Sequence, residues 1–217
     1  MKLVVVVGTG TEVGKTWVSA RLLRDLRAEG HEVSARKPAQ SFDPDDRSTD
    51  AHVLARATGE DPADVCPRHR WYPVAMAPPM AAEALGRPRF TVDDLAAETI
   101  WPVPPPALGL AETAGGVRSP HATDGDAVSY VEALQPEVVL VVADAGLGTI
   151  NGTRLTLEAL DRGAHVATPL VFLNRFDAAD ELHRRNKAWL DAHLDVEVIV
   201  TVAGLVRWFD PWLAPQR

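Results

Sequence analysis

The chain has one cysteine, Cys66, among its 217 residues. That excludes an internal disulfide framework and fits a reducing compartment. Cys66 has no histidine or aspartate at a suggestive spacing, so no chemistry is assigned to it. Basic residues are also scarce: 22 lysines and arginines stand against 30 acids, a net charge of −8. This balance argues against nucleic acid or an anionic membrane as a partner, while leaving room for a local basic pocket. Long apolar runs are missing too. No stretch approaches the roughly 18–20 apolar residues of a membrane span, and residues 3–7 are too few for a signal-peptide core. The cytoplasm is the expected location. His52, His69, His121 and His165 show no metal-ligand spacing.

The composition that remains, 46% hydrophobic and 24% charged, is ordinary for a globular protein. Its length suits one α/β domain spanning residues 1–217. The densest information lies in the first twenty residues. Leu3-Val4-Val5-Val6-Val7 is a short apolar, β-branched run that reads as a buried strand. Gly8-Thr9-Gly10-Thr11-Glu12-Val13-Gly14-Lys15-Thr16 follows, and Val18, Leu22, Leu23 and Leu26 then repeat at helical spacing. Strand, glycine-rich loop ending in Gly-Lys-Thr, and helix is the context of a phosphate-binding loop. Backbone N–H groups and the helix N-terminus surround the anion, the lysine reaches the β- and γ-phosphates, and the Thr16 hydroxyl joins a Mg²⁺ shell. The common pattern would place its first glycine at position 9, where this chain has Thr9; Gly8 makes the loop one residue longer.

Apolar runs alternate with helical stretches along the chain, which predicts a mostly parallel sheet with helices on both faces. Strands are expected at 3–7, 32–36, 108–112, 138–143, 169–174 and 197–202. Helices are expected after the phosphate loop and near 49–58, 80–85, 124–134, 152–162 and 179–193. The stretch 62–106 is rich in proline and alanine and long for a connection, which favours a functional role.

Ligands of open parallel sheets gather at the strands' carboxyl ends. Lys15 and Thr16 follow the first predicted strand, Lys37 and Ser41 the second, Glu112 ends the third, Asp144 follows the fourth and Asn174 ends the fifth. Lys37 is read either as a solvated charge or as a second cation for a transferred phosphoryl group, a reaction governed by positioning and charge stabilisation. Ser41 stands close enough in sequence to donate to the same phosphate. Asp50, at a predicted helix start, is a macrodipole partner or a Mg²⁺ ligand. Asp43, Asp45 and Asp46 are nearby competitors that read as a solvated loop. Glu112 ends an apolar strand and precedes Thr113-Ala114-Gly115-Gly116, where glycines allow close backbone approach to a ligand.

The extended loop, Lys37-Pro38, Glu112-Thr113-Ala114-Gly115-Gly116 and Gly146-Leu147-Gly148-Thr149-Ile150-Asn151 resemble dethiobiotin synthetase in residues and order. Tyr72-Pro73 and Met76-Ala77-Pro78 are similar to its substrate-side segment. The resemblance covers residue 1 to about Asn174. It implies a reaction that spacing alone does not reveal: ATP, Mg²⁺ and CO₂ close a ureido ring on 7,8-diaminopelargonic acid. One amine becomes a carbamate, its oxygen attacks the γ-phosphate, and the second amine displaces phosphate from the mixed anhydride. By resemblance, Lys15, Lys37 and Ser41 serve catalysis. Thr11, Glu12, Val13, Gly14, Lys15, Thr16, Trp17 and Asn174 hold the nucleotide, Asn174 at the adenine edge. Thr16, Asp50 and Glu112 hold the metal. The family is homodimeric, and its substrate carboxylate reaches Gly148, Thr149, Ile150 and Asn151 across the interface; Ser41 also contacts substrate. From the residues alone, Asn151 is equally a helix cap for 152–162. Gly10, Thr113 and the segment 203–208 depart from the family pattern.

Two other readings compete. A partition-type ATPase of the same broad fold carries an additional lysine early in its loop, where this chain has Thr9-Gly10-Thr11. A nucleotide-binding relative with a regulatory role and no synthesis differs only in substrate-dependent turnover.

Overall fold

The computed structural model describes residues 1–163 and 168–214, so His165 lies outside the described residues. In chain order the elements are β1 (Lys2–Gly8), α1 (Lys15–Ala28), β2 (Val33–Arg36), β3 (Gln40–Ser41), α2 (Asp50–Thr58), α3 (Pro62–Val65), β4 (Trp71–Tyr72), α4 (Pro78–Ala84) and α5 (Val92–Ala97). They continue with β5 (Leu108–Glu112), α6 (Ala127–Leu134), β6 (Val138–Asp144), α7 (Thr149–Gly163), β7 (Pro169–Asn174), α8 (Glu181–His193), β8 (Glu197–Ile199) and α9 (Val202–Leu213). A short 3₁₀ turn at Arg68–Arg70 precedes β4.

Six strands form one sheet in the order β2-β5-β1-β6-β7-β8, and every recorded pairing is parallel. β1 lies inside this sheet, and its alternation explains its composition. Val4 and Val6 face the core shared with Leu22, Leu26, Leu54 and Phe209, while Val5 and Val7 face the core shared with Val128, Tyr130 and Leu190. A strand covered on both faces needs an unbroken apolar run. The predicted α/β architecture is therefore the observed one.

Several boundaries differ from the sequence reading. α7 begins at Thr149, three residues before the expected start, because Gly148 takes the left-handed conformation (φ 91°) that turns the chain into the helix. Asn151 is thus inside the first turn and does not cap α7. The run 197–202 holds only the three-residue strand β8; Thr201 accepts the Gly204 N–H and starts α9 instead. α9 buries Leu205, Phe209 and Leu213, four residues apart, against the α1 side of the sheet. Helix α5 was also unforeseen, although Thr91 and Asp94 form a reciprocal capping box at its start. None of the described helices is long and apolar enough to cross a membrane.

His121 is an anomaly in the second core. Its ring is fully buried, neither nitrogen has a hydrogen-bond partner, and it packs on Tyr130 with centroids 5.0 Å apart. Burial, then the positive Lys37, pushes its pKa down to about 3, with Asp126 opposing and Lys15 adding to the fall. The unfolded chain accepts a proton near the ordinary value of 6.5, and the folded chain refuses it down to about 3. Stability is therefore lost as pH falls through that window. His121→Leu should gain about 2 kcal/mol more relative to wild type at pH 5 than at pH 8. Urea unfolding at the two pH values measures this, and an equal difference at both would refute it.

Candidate active site

The phosphate loop follows β1 directly. Gly14, at the N-cap of α1, has φ 92°, and a Cβ there would stand 2.1 Å from Asn174 Nδ2. Only glycine meets both conditions. Asn174, at the end of β7, donates to the Val13 carbonyl at 2.9 Å and so fixes the loop from below. Glu12 has a left-handed backbone (φ 60°), and its carbonyl accepts from Arg175 Nη2 at 2.8 Å. Arg175 also binds Asp144 at 2.6 Å.

Two lysines converge on the space above the loop. Lys15 Nζ donates to the carbonyls of Gly115 (2.7 Å) and Gly10 (3.2 Å). Burial, aided by the nearby Lys37 charge, lowers its pKa to about 8 against the pull of Glu112 and Asp50. Lys37, from the end of β2, contacts Glu112 Oε1 and Asp50 Oδ2, each at 2.8 Å, and the Thr113 carbonyl at 3.2 Å. Burial acts to lower its pKa, but the two carboxylates prevail and raise it above the ordinary lysine value. Asp50 is shifted the other way: burial opposes ionisation, and Lys37 with the Thr16 hydroxyl holds its carboxyl below the usual range.

Thr16 Oγ1 lies 2.7 Å from Glu112 Oε1 and 2.9 Å from Asp50 Oδ1. A hydroxyl has one proton and donates to one of these oxygens at a time. The other oxygen pair is left facing without a proton between them, an arrangement that a small cation relieves. Hydroxyl and carboxylate oxygens are also the donors Mg²⁺ prefers. The residues present therefore fit that ion. Glu112 is fully buried, and its other oxygen accepts from Ser19 at 2.8 Å.

A cavity of about 290 Å³ opens on this cluster, lined by Thr11, Glu12, Gly14, Lys15, Thr16, Lys37, Gln40, Ser41, Asp50, Ala114 and Gly115. Ser41 donates to the Met76 carbonyl at its rim. An adjoining cavity of about 450 Å³ is lined by Gly14, Trp17, Asn174, Arg175, Phe176 and the segment Val200–Val202, among others. Trp17 and Asn174 belong to this second space. Gly148, Ile150 and Asn151 line a third, separate surface cavity with Leu147 and Arg154. Thr149 is buried beside them, and a Cβ at Gly152 in the first turns of α7 would stand 3.4 Å from the Thr9 side chain of the loop.

The structure thus joins Lys15, Thr16, Lys37, Ser41, Asp50 and Glu112, and Asp50 rather than Asp43, Asp45 or Asp46 reaches the cluster. Sequence reasoning missed Ser19, Gln40 and Arg175. Ser19 follows Thr16 by one helical turn on an otherwise apolar buried face, a legible signal. Arg175 had none, because its partner Glu12 is 163 positions away.

Sheet, loop and acidic strand end define a phosphate-loop nucleotide-binding protein. A family model described as an AAA domain matches residues 2–206. The ATP-dependent dethiobiotin synthetase of Haloferax mediterranei is 38% identical over 86% of this chain and 77% of its own length. That of Caulobacter vibrioides is 40% identical over 83% of each chain. The chain belongs to the dethiobiotin synthetase family. In fold it is also similar to the solved cobyrinic acid a,c-diamide synthase of Mycobacterium smegmatis with an ATP analogue and magnesium, at TM-score 0.58 and 13% identity, covering 98% of this chain and 94% of that one.

Lys37 is the counter-ion of two carboxylates, so Lys37→Met leaves Glu112 buried and unpaired. The loss should be about 3 kcal/mol, carried mainly by Glu112 because Asp50 is 40% exposed and screened. Millimolar Mg²⁺ should recover part of it. Thermal unfolding with and without MgCl₂ reads both effects; a variant as stable as wild type would contradict this account.

Proposed function

We propose that this chain is a Mg²⁺- and ATP-dependent dethiobiotin synthetase acting on 7,8-diaminopelargonic acid and CO₂ in biotin biosynthesis. The observation that carries the reading is the closed cluster of Thr16, Asp50, Glu112 and Lys37 beside a phosphate loop. Family membership supplies the substrate.

On this reading the loop N–H groups and Lys15 hold the triphosphate, with Thr11, Glu12 and Val13 along its path and Trp17 and Asn174 beside the base. Thr16, Asp50 and Glu112 hold Mg²⁺, which when bound offsets phosphate charge during phosphoryl transfer. One substrate amine adds to CO₂ and loses a proton, giving a carbamate. Lys37 neutralises that carbamate as its oxygen attacks the γ-phosphorus and ADP leaves, and Ser41 donates to the same group. The second amine then attacks the carbamic-phosphoric anhydride carbon, phosphate departs, and the ring closes. Gly148, Thr149, Ile150 and Asn151 receive the substrate carboxylate at the α7 N-terminus, where helix N–H groups favour an anion. Leu147 and Leu155 beside them are 92% and 57% exposed, which supports a second copy packing there as a homodimer. The single cysteine supports a reducing cytoplasm as the setting of the reaction.

Phosphate release from Mg-ATP should require both diaminopelargonate and bicarbonate, with dethiobiotin detected by mass. Release indifferent to the diamine would leave a nucleotide-binding regulator or partition-type ATPase instead. Lys15→Ala should abolish turnover. Lys37→Ala should lower kcat more than it weakens nucleotide binding, and equal losses would reduce Lys37 to a passive contact.

A further inference from the structure

Gln40 is fixed in orientation by one hydrogen bond. Its Oε1 accepts the Ala51 N–H at 3.0 Å. A backbone N–H only donates, so the amide oxygen must face α2 and the nitrogen must face away. That Nε2 is buried and has no partner in the protein. Among the described residues lining the 290 Å³ cavity, Gln40 is the one whose side chain carries a buried polar atom left in this state. A buried donor without an acceptor is destabilising, and a ligand oxygen removes that penalty.

Four segments line the cavity. Thr11, Glu12, Gly14, Lys15 and Thr16 belong to the phosphate loop, whose donors suit the nucleotide. Lys37, Gln40 and Ser41 come from the β2–β3 segment, Asp50 from α2, and Ala114 and Gly115 from the turn after β5. We infer that Gln40 Nε2 is a substrate-binding donor to an anionic oxygen of the carboxylated diamine, next to the oxygen that Lys37 neutralises. This assignment rests on the proposed function. It gives Gln40 two roles at once: its oxygen holds the first turn of α2, which presents Asp50, and its nitrogen orients the carbamate.

Two substitutions separate these roles. Gln40→Glu keeps an oxygen for the Ala51 N–H and removes the donor. Gln40→Met removes both without adding charge. Both should lower kcat/KM for diaminopelargonate by about 10-fold or more, the scale of a hydrogen bond to a charged group. In Gln40→Glu, which keeps the hold on α2, affinity for Mg-ATP measured without the diamine should stay within about twofold of wild type, as the donor serves the other reactant. Gln40→Met should also lower the thermal midpoint, because the Ala51 N–H loses its acceptor. Full activity in Gln40→Glu would reduce the residue to an anchor for α2. Full activity in Gln40→Met would reduce any Gln40→Glu defect to the introduced charge. Either result overturns the assignment while wild-type turnover keeps the proposed function. Wild-type protein without diamine-dependent turnover overturns both.

Discussion

The ion pair between Lys37 and Glu112 is the constraint around which the rest of the site is arranged. Both side chains are almost wholly buried, at 2% and 0% exposure. A buried charge pair is tolerable only when its remaining hydrogen-bonding capacity is met. Here Thr16 and Ser19 from α1, Asp50 from α2 and the Thr113 carbonyl after β5 meet it. One electrostatic requirement thus ties together two strands and two helices. On the proposed function, the same groups would supply oxygens for a metal and a cation for a reacting oxyanion.

Rigid elements hold this arrangement. Lys37 leaves β2 and Glu112 ends β5, its pairing partner, while β1 feeds the loop from the neighbouring position. The loop is further fixed from β7, through Asn174 beneath Gly14 and Arg175 on the Glu12 carbonyl. Glu12 and Arg175 both adopt left-handed backbone (φ 60° and 57°), strain that the surrounding contacts sustain. Hydrogen bonds preset in this way spare reorganisation when a phosphate arrives.

Much of this was legible before any coordinates. The unbroken valines of β1 and the glycine and lysine spacing after it are local signals, and local signals survive in a linear chain. Strand-end placement correctly gathered Lys15, Lys37 and Glu112. Where the reading slipped, a local rule met a competing one. Asn151 looked like a helix cap, but Gly148 had already turned the chain. The β-branched run at 197–202 hid the Thr201 cap of α9. β3 and β4, two residues each, are too short for any periodicity to show.

The sequence by itself determined the main apolar strands, the phosphate loop and which residue types could do chemistry, because apolar runs and glycine spacing are written in consecutive residues. Only the tertiary structure shows how an acid joins the cluster. The sequence favoured Asp50, at a predicted helix start, over Asp43, Asp45 and Asp46, but the reach of α2 to Thr16 and Lys37 is a property of the fold. The same holds for Gln40 and Arg175. Their partners are contacts across folded elements, set by packing and buried charge that no local pattern encodes.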